Sequence, residues 1–197
     1  MKLRVLLLTI ALITFAAVAH GDGHHSIGLN AGLAMPTGER SDDIGIGYVV
    51  GADYEYRINP RFGVGFDVDY FALGGKTTTT TSRGYTQTVK EEAPGGQAIL
   101  FGRYYLPLKD SPFAPYVSLA LEKVRIGFKE TTTYRGRVTT SEDKQDKQGF
   151  GIGAGVTRPL NKQLTGGLEL GFHEIQTNDK STTLITFALS CSYNLGK

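Results

Sequence analysis

Phe-Gly-Val-Gly-Phe-Asp-Val-Asp-Tyr-Phe-Ala occupies residues 62–72, and every second residue in this stretch is apolar. A period of two indicates a β-strand with two unlike faces. The residues between the apolar ones are Gly or Asp, with Phe71 as the exception. Small and acidic side chains suit a narrow polar interior, so we expect the large apolar side chains to point outward into lipid.

Seven further segments alternate in a similar way, which gives eight predicted strands. They are Ser26–Met35, Gly47–Ile58, Gln97–Leu106, Tyr116–Phe128, Gly149–Thr157, Leu164–Ile175 and Leu184–Leu195. Tyr116–Phe128 changes phase near Glu122 and Lys123, which a β-bulge or the end of the membrane band would explain. An even number of strands returns the chain to its starting side, and side chains just fill an eight-stranded barrel.

The connections between these segments alternate in length. Tight or moderate turns at residues 59–61, 107–115 and 158–163 fall on the same end as both termini, and the longest loops, 74–96 and 130–148, fall on the other. Short turns on one side and long loops on the other are typical of outer-membrane barrels. The pattern predicts an all-β, eight-stranded antiparallel transmembrane β-barrel. A soluble barrel of lipocalin type is the alternative, disfavoured by the Gly-rich second faces.

The N-terminus indicates a secreted protein. Lys2 and Arg4 precede an apolar run over residues 5–15, and Ala17-Val18-Ala19 supplies small residues for cleavage. We expect a signal peptide over residues 1–19 and a barrel domain over residues 20–197, located in the cell outer membrane. The apolar run is shorter than the ~20 residues that a spanning helix needs.

Composition excludes several classes of function. Removal of Lys2 and Arg4 brings the formal charge of +2 close to zero, and no basic block remains that would bind nucleic acid. The single cysteine, Cys191, excludes an internal disulfide and a thiolate metal cluster. His24 and His25 fit a mobile N-terminal tail better than a metal site. We expect no cofactor and no metal.

The signal peptide, the eight alternating segments and the loop asymmetry together resemble the small outer-membrane β-barrel proteins of Gram-negative bacteria, the group that includes the OmpA transmembrane domain and the OmpX/Ail proteins. The resemblance covers almost all of the chain after residue 19. It implies outer-membrane lipid as a partner and a monomeric barrel. Such proteins usually end in an aromatic residue, whereas this chain ends Tyr193-Asn194-Leu195-Gly196-Lys197.

Charged residues fall on the predicted inner face. They are Asp53, Glu55, Arg57, Asp67, Asp69, Arg103 and Glu169, with Glu122 and either Lys123 or Arg125 as further candidates. Buried charges must be paired to be tolerated. Because both signs are present and the barrel is thin, we interpret the set as a charge network that plugs the lumen, with Arg57 and Arg103 as partners for Asp67 and Asp69. An ion path or a catalytic carboxylate pair is the alternative.

The sequence gives little support to enzymatic activity. Barrel lipid hydrolases use Ser, His and Glu, and such an enzyme would be expected to carry a Ser two residues after its His. His173 is followed at that position by Ile175, and no G-x-S-x-G motif occurs. We therefore expect no enzyme.

The two longest loops are related. Residues 79–88 and 131–140 both carry Thr runs around an Arg-Gly pair, Arg83-Gly84 in one and Arg135-Gly136 in the other. Thr favours strands and Gly permits hairpin turns, so we predict two protruding Thr-rich hairpins with these pairs at their tips. Disordered polar loops are the alternative.

These features predict a structural or surface-interaction protein of the outer membrane, which offers an exposed sheet edge in loops 74–96 and 130–148 to an extracellular partner. The first alternative is a narrow pore or a transporter of hydrophobic ligands. The second is a lipid-modifying barrel hydrolase that uses His173.

Overall fold

The computed structural model describes residues 23–37, 44–75, 77–82, 85–135, 137–176 and 182–196. These residues form nine strands: β1 (His24–Thr37), β2 (Ile44–Asn59), β3 (Phe62–Gly75), β4 (Thr77–Ser82), β5 (Tyr85–Tyr105), β6 (Ala114–Tyr134), β7 (Arg137–Pro159), β8 (Leu164–Gln176) and β9 (Thr182–Gly196). In this part of the chain no helix is long and apolar enough to cross a membrane. The predicted signal peptide, residues 1–19, lies outside the described residues.

The strands close into a ring. β1 pairs antiparallel with β2, and β2 with β3. β5, β6, β7 and β8 each pair antiparallel with the next strand in the chain, and β1 also pairs with β9. β3 pairs with β5 as far as Leu73↔Ala93, and β4 pairs with β5 from Thr77↔Lys90 onward. β3 and β4 therefore occupy one strand position, interrupted by a one-residue register shift. The ring has eight strand positions, which confirms the predicted antiparallel barrel.

The alternation in the opening stretch, residues 62–72, places two chemistries on two faces. Phe66 and Val68 are 53% and 57% exposed, whereas Gly65 and Asp69 are buried inside the ring. The same outward exposure recurs on other strands, at Leu29, Leu119, Ile152 and Leu189. An apolar band around a closed ring is the surface that lipid requires.

Small residues on the inner face make room for charged ones. Gly51 pairs with Asp69, and a Cβ at Gly51 would collide with the Asp69 carboxylate. Gly28 stands in the same relation to Asp53. The Gly-rich faces that the sequence contains are thus the walls against which the interior carboxylates pack.

Strand β6 corrects one interpretation of the sequence. Its register with β7 runs unbroken from Ala114↔Thr157 to Tyr134↔Arg137, so there is no bulge near Glu122. Glu122 and Val124 are both buried on the inner face, and Lys123 is exposed. The apolar residues change face because the surroundings change. Beyond Glu122, in the direction of Tyr134, apolar side chains face the interior and polar side chains face outward.

An apolar cluster fills the interior beyond this point. Its members come from every strand position except β7, and they are Ala34, Val49, Phe71, Leu73, Ala93, Val124, Ile126, Ile175 and Leu184, with Phe128 packed against them. Phe71, the exception in the opening stretch, belongs to this cluster and is 1% exposed. The cluster lies at the end of the barrel opposite the short turns.

Two of the short turns use the same local device. The side-chain oxygen of Asn59 accepts hydrogen bonds from the backbone N–H groups of Arg61 and Phe62. Asn161 does the same for Gln163 and Leu164. Such Asx turns reverse the chain within a few residues, which keeps this end of the barrel compact.

Strands β5, β6 and β7 are far longer than a membrane requires. They contain 21, 21 and 23 residues, against about 9–11 for a transmembrane strand. Their outer parts join β4 in a four-stranded sheet. We call it the outer sheet, and it consists of β4 with residues 85–92, 129–134 and 137–147.

Candidate functional site

The barrel interior is crossed by one arginine. Arg103 on β5 donates from Nη1 to Glu55 Oε2 at 2.8 Å and from Nη2 to Glu169 Oε2 at 3.0 Å. Glu55 lies on β2 and Glu169 on β8, which are on different sides of the ring. The arginine and its two carboxylates therefore form a bar across the lumen.

Hydroxyl groups complete the bonding of these two carboxylates. Tyr105 donates to both oxygens of Glu55 at 2.8 Å. Tyr116 donates to Glu169 Oε2 at 2.6 Å, and Ser118 donates to Glu169 Oε1 at 3.1 Å. A buried ion pair becomes tolerable when the remaining lone pairs are also satisfied, so these side chains explain how the bar persists in a confined interior.

Arg57 extends the bar toward the short turns. Its Nε lies 3.6 Å from Glu55 Oε1, and its guanidinium carbon lies 3.9 Å from the centre of the Tyr105 ring. Arg103 likewise stacks over Phe101, at 4.2 Å. Stacking on aromatic faces suits a planar guanidinium, so both arginines are held by ring contacts as well as by charge.

The aspartates of the opening stretch have different partners from those expected. The Asn30 amide donates to Asp67 Oδ2 at 3.0 Å and to Asp69 Oδ1 at 3.2 Å, and the Gln97 amide donates to Asp69 Oδ2 at 2.7 Å. The expectation that Arg57 and Arg103 pair with them is wrong, because both arginines are engaged nearer the short turns. Asp53 lies on the same wall, opposite Gly28.

His173 connects a carboxylate to a hydroxyl. Its Nδ1 lies 2.6 Å from Glu122 Oε1, and its Nε2 lies 2.9 Å from Thr186 Oγ1. This order of groups is that of a hydrolytic triad. However, Thr186 pairs with Ala34 on β1 and with Gly171 on β8. The backbone around it therefore belongs to ladders on both sides, and the N–H donors that an oxyanion hole needs are already used.

The space left inside the barrel is a cavity of about 710 Å³. At one end it reaches the turn residues Asn161, Lys162 and Gln163, and at the other it ends near Val49, which belongs to the apolar cluster. The cavity therefore extends inward from the short-turn end and stops below the apolar cluster. Among the described residues no group of three or more His, Cys, Asp or Glu side chains is placed to hold a metal ion.

The second candidate site is the outer sheet. β7 pairs with β8 only as far as Gln148↔Gln176, so residues 137–147 have β6 on one side and no described strand on the other. β4 pairs with β5 and with no other described strand. The two hairpins are not separate, since β5 and β6 stay paired up to Gln87↔Tyr134. The outer sheet thus has two edges.

Threonines and ion pairs cover the outward face of this sheet. Thr79 lies across from Thr88, and Thr131 across from Thr140, each pair with hydroxyls 3.5 Å apart. Arg125 binds Asp146 through two hydrogen bonds, at 2.6 and 3.0 Å. The hydrogen bond from Arg125 holds the pKa of Asp146 below its usual range. Lys90–Glu92 and Lys144–Glu142 are further pairs on this face.

The predicted hairpin tips are described only in part. Arg83, Gly84 and Gly136 lie outside the described residues. Arg135 has a positive φ of 48°, and its guanidinium lies 5.3 Å from the centre of the Tyr134 ring. A left-handed backbone at this position fits a tight turn between β6 and β7.

Comparison with known proteins agrees with the barrel and its apolar band. Residues 5–194 match the family described as the outer membrane protein beta-barrel domain. The chain belongs to this family. It is an outer-membrane β-barrel protein. No curated protein sequence matches it significantly.

Several solved structures resemble this outer-membrane barrel. Neisserial surface protein A is 17% identical, with a TM-score of 0.50 over 86% of this chain and 96% of that one. The N-terminal barrel domain of OprF from Pseudomonas aeruginosa is 14% identical, with a TM-score of 0.51 over 88% and 100%. OprG from the same species is 13% identical, with a TM-score of 0.50 over 90% and 99%. At these identities the likeness shows the fold alone.

Sequence reasoning missed several polar groups of the barrel interior. None of them carries a charge at neutral pH: Asn30, Gln97, Tyr105 and Tyr116 bind interior carboxylates, and Thr186 binds the His173 ring. Their inward direction follows from the same period of two that placed Arg103. Extending the alternation to uncharged side chains would have found them.

Proposed function

We propose that this outer-membrane barrel is a surface-interaction protein, in which a sealed barrel anchors an outer sheet that binds an extended polypeptide by strand addition. The orientation proposed is that of the family, with short turns in the periplasm and the outer sheet outside the cell. The mature chain is proposed to begin at His20, after removal of residues 1–19. The observation that carries the proposal is the edge of β7 over residues 137–147, which has no described neighbour.

The edge is suited to strand addition. An extended partner binds such an edge through its backbone, and side chains on alternate positions supply specificity. Exposed edges are usually shortened or covered because they promote aggregation, whereas this one runs eleven residues beyond the last pair with β8. Its charged side chains, such as Glu142 and Lys144, oppose unspecific pairing without closing the edge.

A closed lumen favours the role of a membrane anchor over that of a pore. The apolar cluster fills the outer end of the lumen, and the bar formed by Arg103, Glu55 and Glu169 narrows the cavity that extends past it toward that cluster. We interpret the interior charges as a plug for these reasons. Hydrolysis is not proposed, because the backbone around Thr186 is committed to the sheet.

The test shortens the outer sheet and leaves the eight strand positions of the ring in place, since it removes β4 beyond Thr77 and residues 137–141 of the β7 edge. Lys129 pairs with Glu142, so residues 130–141 can be replaced by a two-residue Asn-Gly turn in matched register. Residues 78–89 can be replaced in the same way between Thr77 and Lys90. Proteoliposomes carrying the intact barrel are expected to bind to immobilised serum or matrix proteins, and the trimmed barrels are expected to lose that binding.

Folding of the trimmed barrels is checked by heat-modifiable gel mobility, which must match that of the intact chain. Replacement of the turn residues 108–111 at the opposite end is the control, and it should leave binding unchanged. Binding that persists after both trims, or an intact barrel that binds no protein on the panel, would count against the proposal.

A further inference from the structure

The short-turn end of the barrel carries cations and exposed apolar side chains together. Arg61, Lys109, Arg158 and Lys162 are all exposed there, with Asp110 as the one acidic residue among the turn residues 59–61, 106–113 and 158–163. Leu108 is 52% exposed and Leu160 is 61% exposed in these same turns. We call this set of turn residues, with their four cations, the basic rim.

The cations of the basic rim are unlike those of the outer sheet. Among the described residues none of the four has a carboxylate within ion-pair distance, whereas Lys90, Arg125 and Lys144 of the opposite end are each paired. Arg158 instead stacks over the ring of Phe113, at 5.3 Å. Four cations in positions where few acids are present favour an anionic partner from outside the chain.

The apolar side chains identify the kind of anion. Leu106, Leu108, Phe113 and Leu160 are exposed between the cations, and the rim continues directly into the lipid-facing band of Phe62 and Tyr104. A soluble polyanion would contact the charges alone. A phospholipid layer offers phosphates to the charges and acyl chains to the leucines, and side chains such as Arg and Lys reach its headgroups while their stems remain in apolar surroundings.

We propose that the basic rim binds the anionic phosphodiester headgroups of the periplasmic leaflet, and so selects anionic phospholipids around this end of the barrel. This rests on the orientation proposed above but does not depend on what the outer sheet binds. A cation close to an anionic lipid surface contributes about five-fold to association. Loss of all four cations should therefore abolish the preference and not merely weaken it.

The chain contains no Trp, so a single Trp makes a clean reporter. Leu108→Trp places it in the rim, and the barrel is reconstituted in vesicles containing brominated phosphatidylglycerol or brominated phosphatidylcholine at equal mole fraction. We expect stronger quenching by the brominated phosphatidylglycerol. Replacing Arg61, Lys109, Arg158 and Lys162 by Gln should make the quenching by the two brominated lipids equal. Leu160→Trp is a second reporter should Leu108→Trp not fold.

The matched control removes cations from the other end of the molecule. Lys90→Gln with Lys144→Gln should leave the preference at position 108 unchanged. Equal quenching in the starting reporter, or a preference that survives the four replacements, would overturn the proposal. A third outcome would also overturn the proposal. If the barrel binds purified cell-wall sacculi, loses that binding with the four replacements and shows no lipid preference, the basic rim binds the cell wall instead.

Discussion

Arg103 joins carboxylates from two sides of the ring, and its removal would leave the partly buried Glu169 without an ion-pair partner among the described residues and Glu55 with only the more distant Arg57, at 3.6 Å. Breaking a buried ion pair by removing one partner typically costs about 3–5 kcal/mol. We expect Arg103→Ala to lower the free energy of unfolding by about that amount. Equilibrium unfolding in guanidinium chloride from lipid vesicles, followed by circular dichroism, would measure it.

Arg125→Ala is the control for this measurement. Arg125 also makes two hydrogen bonds to a carboxylate, that of Asp146, but both side chains are exposed on the outside of the ring. Exposed ion pairs contribute little to stability, so the midpoint of unfolding should not move. Equal losses for Arg103→Ala and Arg125→Ala would refute the role given to the bar.

Gly51 should tolerate no side chain. A Cβ at this position would overlap the Asp69 carboxylate and would lie 2.9 Å from the backbone oxygen of Val68 on the paired strand, which cannot move aside as a side chain can. We expect Gly51→Ala to cost about 1–3 kcal/mol, the usual effect of overpacking. The measurement is the same unfolding experiment.

Gly102 provides the comparison for Gly51. It lies on the outer face of β5, and a Cβ there would meet no atom within 4 Å. Gly102→Ala should therefore leave stability unchanged. If it destabilised the barrel as much as Gly51→Ala, the cost would belong to the backbone and not to the packing of Asp69.

At the scale of elements, the sequence predicted the strands well because lipid and a narrow lumen impose a strict period of two. At β6 the sequence left a β-bulge or the end of the membrane band as explanations for the changed phase of Val124 and Ile126, and the unbroken register excludes the bulge. The bulge would be needed only on the assumption that apolar residues always face outward. That assumption holds only within the membrane band. The pairing of β5 with β6 beyond the barrel was also missed, because contacts between distant segments leave no local pattern.

The continuity of the outer sheet can be tested by cross-linking. Thr88 pairs with Thr133, and Val89 pairs with Thr132, across the boundary between the two hairpins. In a Cys191→Ser background, Thr88→Cys with Thr133→Cys and Val89→Cys with Thr132→Cys sample both types of antiparallel pair, because the two types alternate along a strand. We expect a disulfide to form in at least one of them, seen as a thiol loss by mass spectrometry.

The combination of Thr88→Cys with Thr131→Cys is the mismatched control. These positions are two residues out of register, so their Cα atoms should lie beyond disulfide reach. Rapid cross-linking of the mismatched pair, or none in either matched pair, would indicate two independent hairpins as the sequence had suggested.

At the scale of the whole molecule, the interior predicts a barrel that does not conduct. In the proposed plug, the bar narrows the lumen and the apolar cluster closes its outer end. Planar-bilayer recordings should show no single-channel steps for the unmodified protein and none for Arg103→Ala. A variant that also carries Phe71→Ala and Leu73→Ala is expected to conduct, because both obstructions are then reduced.

Single-channel conductance steps recorded from the unmodified barrel would favour the pore alternative over the anchor. Silence in the combined variant would show that the apolar cluster and the bar are not what closes the lumen. The sequence alone could not separate these outcomes. It identified the charges of Asp67 and Asp69 but not their amide partners. It identified Phe71 as a break in the alternation, but the role of Phe71 in the apolar cluster depends on residues from other strands.

The seam between β1 and β9 has a consequence for biogenesis. Ser26 pairs with Asn194, so the first strand and the last strand hold each other. Neither has a complete set of backbone partners until both have left the ribosome and reached the membrane. A truncated product would expose open edges to lipid, where no water can satisfy them. Closure of the barrel is therefore expected to follow completion of the whole chain.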